Sequence, residues 1–252
     1  MDFYRTLKAK LNTYNTVPDP YWSSGGTNKE PMGYTDAWTN KLPQTAQGTR
    51  EYLEIGRMYL YDGTVHKPTT MGWLAFEMSR TPAPMAHYER LLEEALASYL
   101  GQGNVACYRG PYLYDKDSPR IRQLWQLWVS HYKRFRQILM ADVIHIRRPT
   151  GSGIEASLHV NASASAAGGL PAFANLFNPT ARSITATIDL PVYYAGLGRG
   201  ASVQLIWGGS LIEPALWPVP NASTALVRDD FSVRTTVHMK PHSFLWASLK
   251  LA

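Results

Sequence analysis

SITATIDLPV, residues 183–192, alternates with a period of two: Ile184, Ala186, Ile188 and Leu190 fall on one side, Thr185, Thr187 and Asp189 on the other. Successive side chains of a strand point to opposite faces, so this pattern predicts a strand covered on one face and wet on the other. The stretch does not stand alone. VIHIRRP (143–149), ASLHVNAS (156–163), PAFANLFNP (171–179), SVQLIWGG (202–209), FSVRTTVHM (231–239) and SFLWASLKL (243–251) are further short β-rich runs, separated by Gly, Pro, Asn and Ser. No helical period runs through them. Seven such runs predict an antiparallel β-sandwich over residues 141–252. ASASAAGG, residues 162–169, is of low complexity and reads as a hairpin loop.

Upstream of Asp142 the pattern changes to strand-like runs alternating with long helical ones. MDFYRTLKAKLNTYN carries Phe3, Leu7, Leu11 and Tyr14 at helical spacing, and TVPDPYW (16–22) follows it. A Gly/Pro-rich loop leads to a helix predicted from about Gln44 to Tyr61. TTMGWLAFEM, residues 69–78, has the length of a buried strand and lies between Pro68 and Pro82. The next helix, from about Met85 to Leu100, sets Tyr88, Leu91, Leu92, Ala95 and Tyr99 on one side and Glu89, Glu93 and Glu94 elsewhere; Gly101 and Gly103 break it. After the short apolar run NVACY comes the clearest helix, 119–139. Its stripe of Ile121, Leu124, Trp125, Trp128, Tyr132, Phe135 and Leu139 leaves Arg120, Arg122, Lys133 and Arg134 largely off it. Strand and helix in alternation predict parallel βα units. Three such units would leave bare sheet faces and unpaired edges, whereas eight close a barrel. Residues 1–140 are therefore expected to be the C-terminal portion of a (β/α)8 barrel, with the missing segment supplied elsewhere or the open edge met by self-association.

Composition narrows the classes. At 252 residues with 45% hydrophobic content the chain can bury a large core, and its net charge of +6 is spread along it. Cys107 is the only cysteine, which excludes an internal disulfide and a multi-cysteine metal site. No HExxH or comparable spacing joins the seven histidines, so His145 and His159 read as sandwich residues. No metal or cofactor is expected. No stretch approaches the roughly 18 to 20 apolar residues of a membrane span, and no signal-peptide pattern opens the chain. Arg147-Arg148 and the basic residues of the 119–139 helix come without a nucleic-acid motif, and a solvated face explains them. Asn161-Ala-Ser and Asn221-Ala-Ser fit the glycosylation pattern, which bears only on a chain secreted by a eukaryote.

Taken in order, PDPYW, GGTNKEPMGY, YDGT, MGWLAFE, ACYRGPYLYD, the helix with W-x-x-W-x-x-x-Y-K-x-x-R, DVIHIRRP, LHVN, NLFNPT and LPVYYAGL resemble the C-terminal part of bacterial TIM-barrel proteins. That group is glycoside hydrolase-like and distantly similar to the α-galactosidase clan. The resemblance covers nearly the whole chain. It implies a barrel followed by a β-sandwich, and a carbohydrate partner. The chain departs from the pattern at Thr35-Asp36, where an arginine–acid pair is expected, and at Glu77, where the usual residue is uncharged. Two readings stay open: a glycoside hydrolase, or a non-catalytic carbohydrate-binding or structural protein that kept the scaffold.

In a barrel, function gathers where strands end. Asp19 ends the TVPD run, Glu77 ends MGWLAFE, and Tyr108-Arg109 end VACYR. Glycoside cleavage needs a pair of carboxyl groups flanking the scissile bond, which makes Asp19, Asp36 and Glu77 the candidate catalytic residues. Trp22, Tyr34, Trp38 and Trp73 offer ring faces to a sugar. Asn28, Lys29, Tyr108 and Arg109 offer hydrogen bonds to its hydroxyls. The competing assignments are plain: Asp19 between two prolines organises a turn, and the rings pack the barrel top.

Overall fold

The computed structural model describes residues 72–73, 85–103, 106–107, 119–215 and 219–252. Two short strands, β1 (Gly72–Trp73) and β2 (Ala106–Cys107), pair in parallel, with Gly72 opposite Ala106 and Trp73 opposite Cys107. Parallel strands need a crossover, and α1 (Met85–Tyr99) lies in the connection between them. A 3-10 turn, Leu100–Gln102, ends α1, and Gly103 closes it in the left-handed region at φ +80°, its N–H donating to the Leu100 carbonyl at 3.2 Å. A Cβ at 103 would overlap the carbonyl oxygen of Leu139, so glycine serves both the turn and the close approach of the next helix. That helix, α2 (Pro119–Leu139), begins on a proline, whose missing N–H is no loss in the first turn.

Beyond α2 the described residues are mostly β. A six-stranded antiparallel sheet has the order β3-β4-β5-β10-β7-β8, with β3 Asp142–Arg147, β4 Glu155–Val160, β5 Ala172–Asn178, β10 Ser243–Leu251, β7 Ser202–Gly208 and β8 Ser223–Leu226. A two-stranded antiparallel ribbon, β6 (Ile184–Pro191) with β9 (Ser232–Met239), covers one face of it. The core between them takes Leu158, Leu176, Leu205, Leu245 and Ala247 from the sheet and Ile188, Leu190, Val233 and Val237 from the ribbon. The ribbon's outer face carries polar cross-strand pairs: Thr185 with His238 at 2.8 Å, Thr187 with Thr236 at 3.1 Å, and Asp189 accepting two bonds from Arg234 at 2.7 and 2.8 Å.

The opposite face of the six-stranded sheet is covered by helices. Phe177 and Phe244 share an apolar cluster with Leu92 and Leu96 of α1 and Leu124 and Trp128 of α2, and Phe173 packs with Ile138 and Leu139. Three layers result: helices, sheet, ribbon. Coverage on both faces is why β4 and β5 are buried along their whole length although β4 reads Glu-Ala-Ser-Leu-His-Val.

Three sequence expectations are corrected. Residues 162–166 form a short helix, α3 (Ala162–Ala166), where a hairpin loop was expected; the Asn161 side chain accepts from the Ala164 N–H at 3.1 Å and starts it. β8 has no counterpart among the expected runs, because its residues are largely exposed and are held by pairing with β7 rather than by an apolar pattern. Glu89 and Glu93 lie on the buried side of α1, not away from it. Positions 89, 92, 93, 96, 97 and 100 follow helical spacing and are the buried arc.

Candidate functional site

Two sites can be built from these elements. The first is the edge where β1 and β2 both end. Parallel pairing in register brings the C-terminal residues Trp73 and Cys107 side by side, so the chain leaves both strands at one edge. Of the residues singled out from the sequence, Trp73 closes β1; Asp19, Asp36, Glu77, Trp22, Asn28, Lys29, Tyr34, Trp38, Tyr108 and Arg109 lie outside the described residues.

The second is where the helices meet the end of β7. Glu93, 1% exposed, projects from α1 toward the loop that follows β7. Its Oε2 accepts from the Ser210 hydroxyl at 2.6 Å, and its Oε1 accepts from the N–H groups of Leu211 at 2.7 Å and Ile212 at 3.3 Å and from Trp128 Nε1 at 3.4 Å. Ser210 in turn accepts from the Glu213 N–H at 2.9 Å. Burial pushes the Glu93 carboxyl above its ordinary value, while the bonds from Ser210, Leu211, Ile212 and Trp128 pull the other way. Nearer the surface, Arg120 bridges Glu89 of α1 at 2.9 Å and Glu213 of the loop at 2.6 Å. Both oxygens of Glu93 are occupied by the protein's own donors. This carboxyl ties α1, α2 and the loop after β7 into one piece, and its chemistry is that of positioning.

Behind it sits an aromatic box. His131 of α2 lies with its ring 5.1 Å from Trp128, 4.9 Å from Phe135, 5.9 Å from Phe173 and 5.0 Å from Trp246. Burial, with a smaller push from Arg134, lowers His131 to about 4, so the ring is neutral at physiological pH. One rung of the sheet, His145–Ser157–Asn175–Trp246, runs beneath, and Asn175 donates to the Gly101 carbonyl at 2.9 Å. Trp246 lies across Gly208, where a Cβ would overlap its ring, and donates to the Gly209 carbonyl at 3.3 Å. Among the described residues, no group of three or more His, Cys, Asp or Glu side chains is placed to hold a metal ion.

Sequence reading missed Glu93 because a glutamate on a helix is ordinarily solvated and three of its four donors lie more than a hundred residues downstream. The signal present was the second apolar arc, with Leu92, Leu96 and Leu100 adjoining Glu89 and Glu93.

No family model and no curated protein matches the chain. Solved structures that it resembles over part of its length include glycoside hydrolases. A GH27 β-L-arabinopyranosidase from Geobacillus stearothermophilus, in complex with arabinose, aligns at 9% identity and TM-score 0.41, covering 65% of this chain and 31% of that one. AmyP in complex with maltose aligns at 12% identity and TM-score 0.45, covering 79% and 44%. An α-amylase from Malbranchea cinnamomea gives 12% identity and TM-score 0.40, covering 80% and 42%. The chain spans about a third of the length of the first of these.

Proposed function

We propose that residues 1–140 are the closing βα units of a (β/α)8 barrel, that residues 141–252 are its C-terminal sandwich, and that the protein is a glycoside hydrolase-like one acting on or binding glycosides. The observation that supports this is the parallel pairing of β1 with β2 across α1, followed after α2 by an antiparallel layered sheet. It joins the ordered motifs from PDPYW to LPVYYAGL, which carry the resemblance. In barrels the working loops leave the C-terminal edge of the parallel strands. Tyr108 and Arg109 follow β2 immediately, and Glu77 comes four residues after Trp73 in the chain that leaves the same edge. Asp19 is assigned as acid/base, with Asp36 and Glu77 as the carboxyls to pair with it; Trp22, Tyr34 and Trp38 stack on the sugar and Asn28, Lys29, Tyr108 and Arg109 bond its hydroxyls.

The test is saccharide binding on a glycan array with the unaltered protein and Trp22→Ala, alongside hydrolysis of aryl glycosides. Binding that weakens about 2- to 10-fold on losing one ring contact is expected. No retention of any glycan by the unaltered protein would overturn the proposal. Retention without hydrolysis would assign the non-catalytic form of it.

A further inference from the structure

The sandwich carries a feature that its own packing does not need. Between β6 and β7 a 3-10 turn, Tyr193–Ala195, is riveted by Val192, Ala195 and Leu197, which are fully or almost fully buried, while Tyr193 and Tyr194 are 58% and 67% exposed. The turn is held rigidly: Val192 N–H donates to the Phe231 carbonyl at 2.8 Å, Ala195 N–H to Val192 at 3.0 Å and Gly196 N–H to Tyr193 at 3.0 Å. Tyr193 stands edge-on to Tyr194 and to Phe231, 5.1 Å from each at 84° and 82°. Phe231 adopts φ +57°, a left-handed conformation that a bulky side chain rarely takes, and such strain concentrates at functional positions. The Arg199 guanidinium lies 4.5 Å over its ring. The turn Arg228–Phe231 that imposes this conformation also holds a charged cluster: Arg228 reaches Asp189 at 3.3 Å and Asp230 at 3.4 Å.

We infer that Tyr193 and Tyr194, with Phe231 and the Arg199 guanidinium beside them, form a glycan-binding surface on the sandwich, built from residues other than those of the β1–β2 edge. Rings displayed on a stiff turn lose little entropy on stacking, and two exposed tyrosine rings with a guanidinium nearby match a pyranose, which has an apolar C–H face and a rim of hydroxyls. The choice of a glycan over another occupant rests on the glycoside reading above.

The experiment is affinity electrophoresis of the full chain through gels containing soluble starch, galactomannan or xylan, comparing the unaltered protein with Tyr193→Ala/Tyr194→Ala, Tyr194→Ala and Tyr193→Phe/Tyr194→Phe. Circular dichroism and sedimentation are run on each. The double alanine variant is expected to lose retention about 5- to 100-fold, the summed effect of two ring contacts, with the phenylalanine pair retained like the parent. Tyr194→Ala, on the most exposed ring, guards against a folding effect. Retention equal in parent and double alanine variant overturns this surface while leaving the glycoside reading standing. No retention of the parent on any polysaccharide overturns both. A change confined to self-association makes the face an interface between copies and likewise overturns the inference.

Discussion

Replacing Glu93 separates a positioning carboxyl from a dispensable one. In Glu93→Leu, the Ser210 hydroxyl and the Leu211 N–H lose their 2.6 and 2.7 Å bonds to a charged acceptor, and the 3.3 and 3.4 Å bonds from Ile212 and Trp128 go as well. A buried donor left unmet costs about 1–3 kcal/mol, and the two short bonds dominate, so a loss of about 3 kcal/mol is expected after relief of the carboxylate's own desolvation. Glu93→Gln keeps one carbonyl for Leu211 and Ile212 and sets its amide against Ser210, whose oxygen has to accept; about 1 kcal/mol is expected. Urea unfolding followed by tryptophan fluorescence reads both. The pH dependence adds a second handle. Because burial raises the folded carboxyl above its ordinary 4.5, the folded chain holds that proton more tightly than the unfolded one. Stability of the parent relative to Glu93→Gln should therefore rise as pH falls from above the folded value toward 4.5. A Glu93→Leu loss below about 0.5 kcal/mol, the range of ordinary surface substitutions, would refute the clasp.

His131 works in the opposite direction: its folded value of about 4 lies below the unfolded 6.5, so the stability present above pH 6.5 is lost as pH falls toward 4, by roughly 3 kcal/mol. His131→Phe should flatten that acid loss, and an unchanged pH–stability profile in the variant would refute the assignment. Gly208→Ala should destabilise by about 1–3 kcal/mol, read as a lowered Tm, because the added methyl meets the Trp246 ring. A Tm equal to the parent's would mean that Trp246 is free to move away.

The parts legible in the sequence were those whose environment is one-sided. In β6 one face meets the core and the other meets water, and the alternation from Ile184 to Leu190 reports it directly. The stripe of α2 read correctly because Ile121, Leu124, Trp128 and Leu139 all turn toward the layer beneath, with Trp125, Tyr132 and Phe135 at its margin. Two-sided environments hid the rest. Glu155, Ser157 and His159 alternate with apolar residues as a half-wet strand would, yet they are buried, because a second layer lies over that face. Glu93 is similar: its polarity says surface, and only distant donors make its burial tolerable. The α3 turn carried a readable sign in Asn161, a good N-cap, that the low complexity of ASASAAGG masked. The catalytic candidates Asp19, Asp36 and Glu77 lie outside the described residues.

The most direct measurement is turnover of aryl glycosides by the intact protein and its Asp19→Asn variant, side by side. The amide keeps the shape of the carboxyl but can neither give nor take the catalytic proton. On the proposed hydrolase reading, with Asp19 as acid/base, general acid–base help is worth about 10²- to 10⁴-fold, so turnover should fall by that factor while sugar binding and the melting temperature hold. Undiminished turnover in Asp19→Asn would contradict the assignment of glycoside chemistry to Asp19.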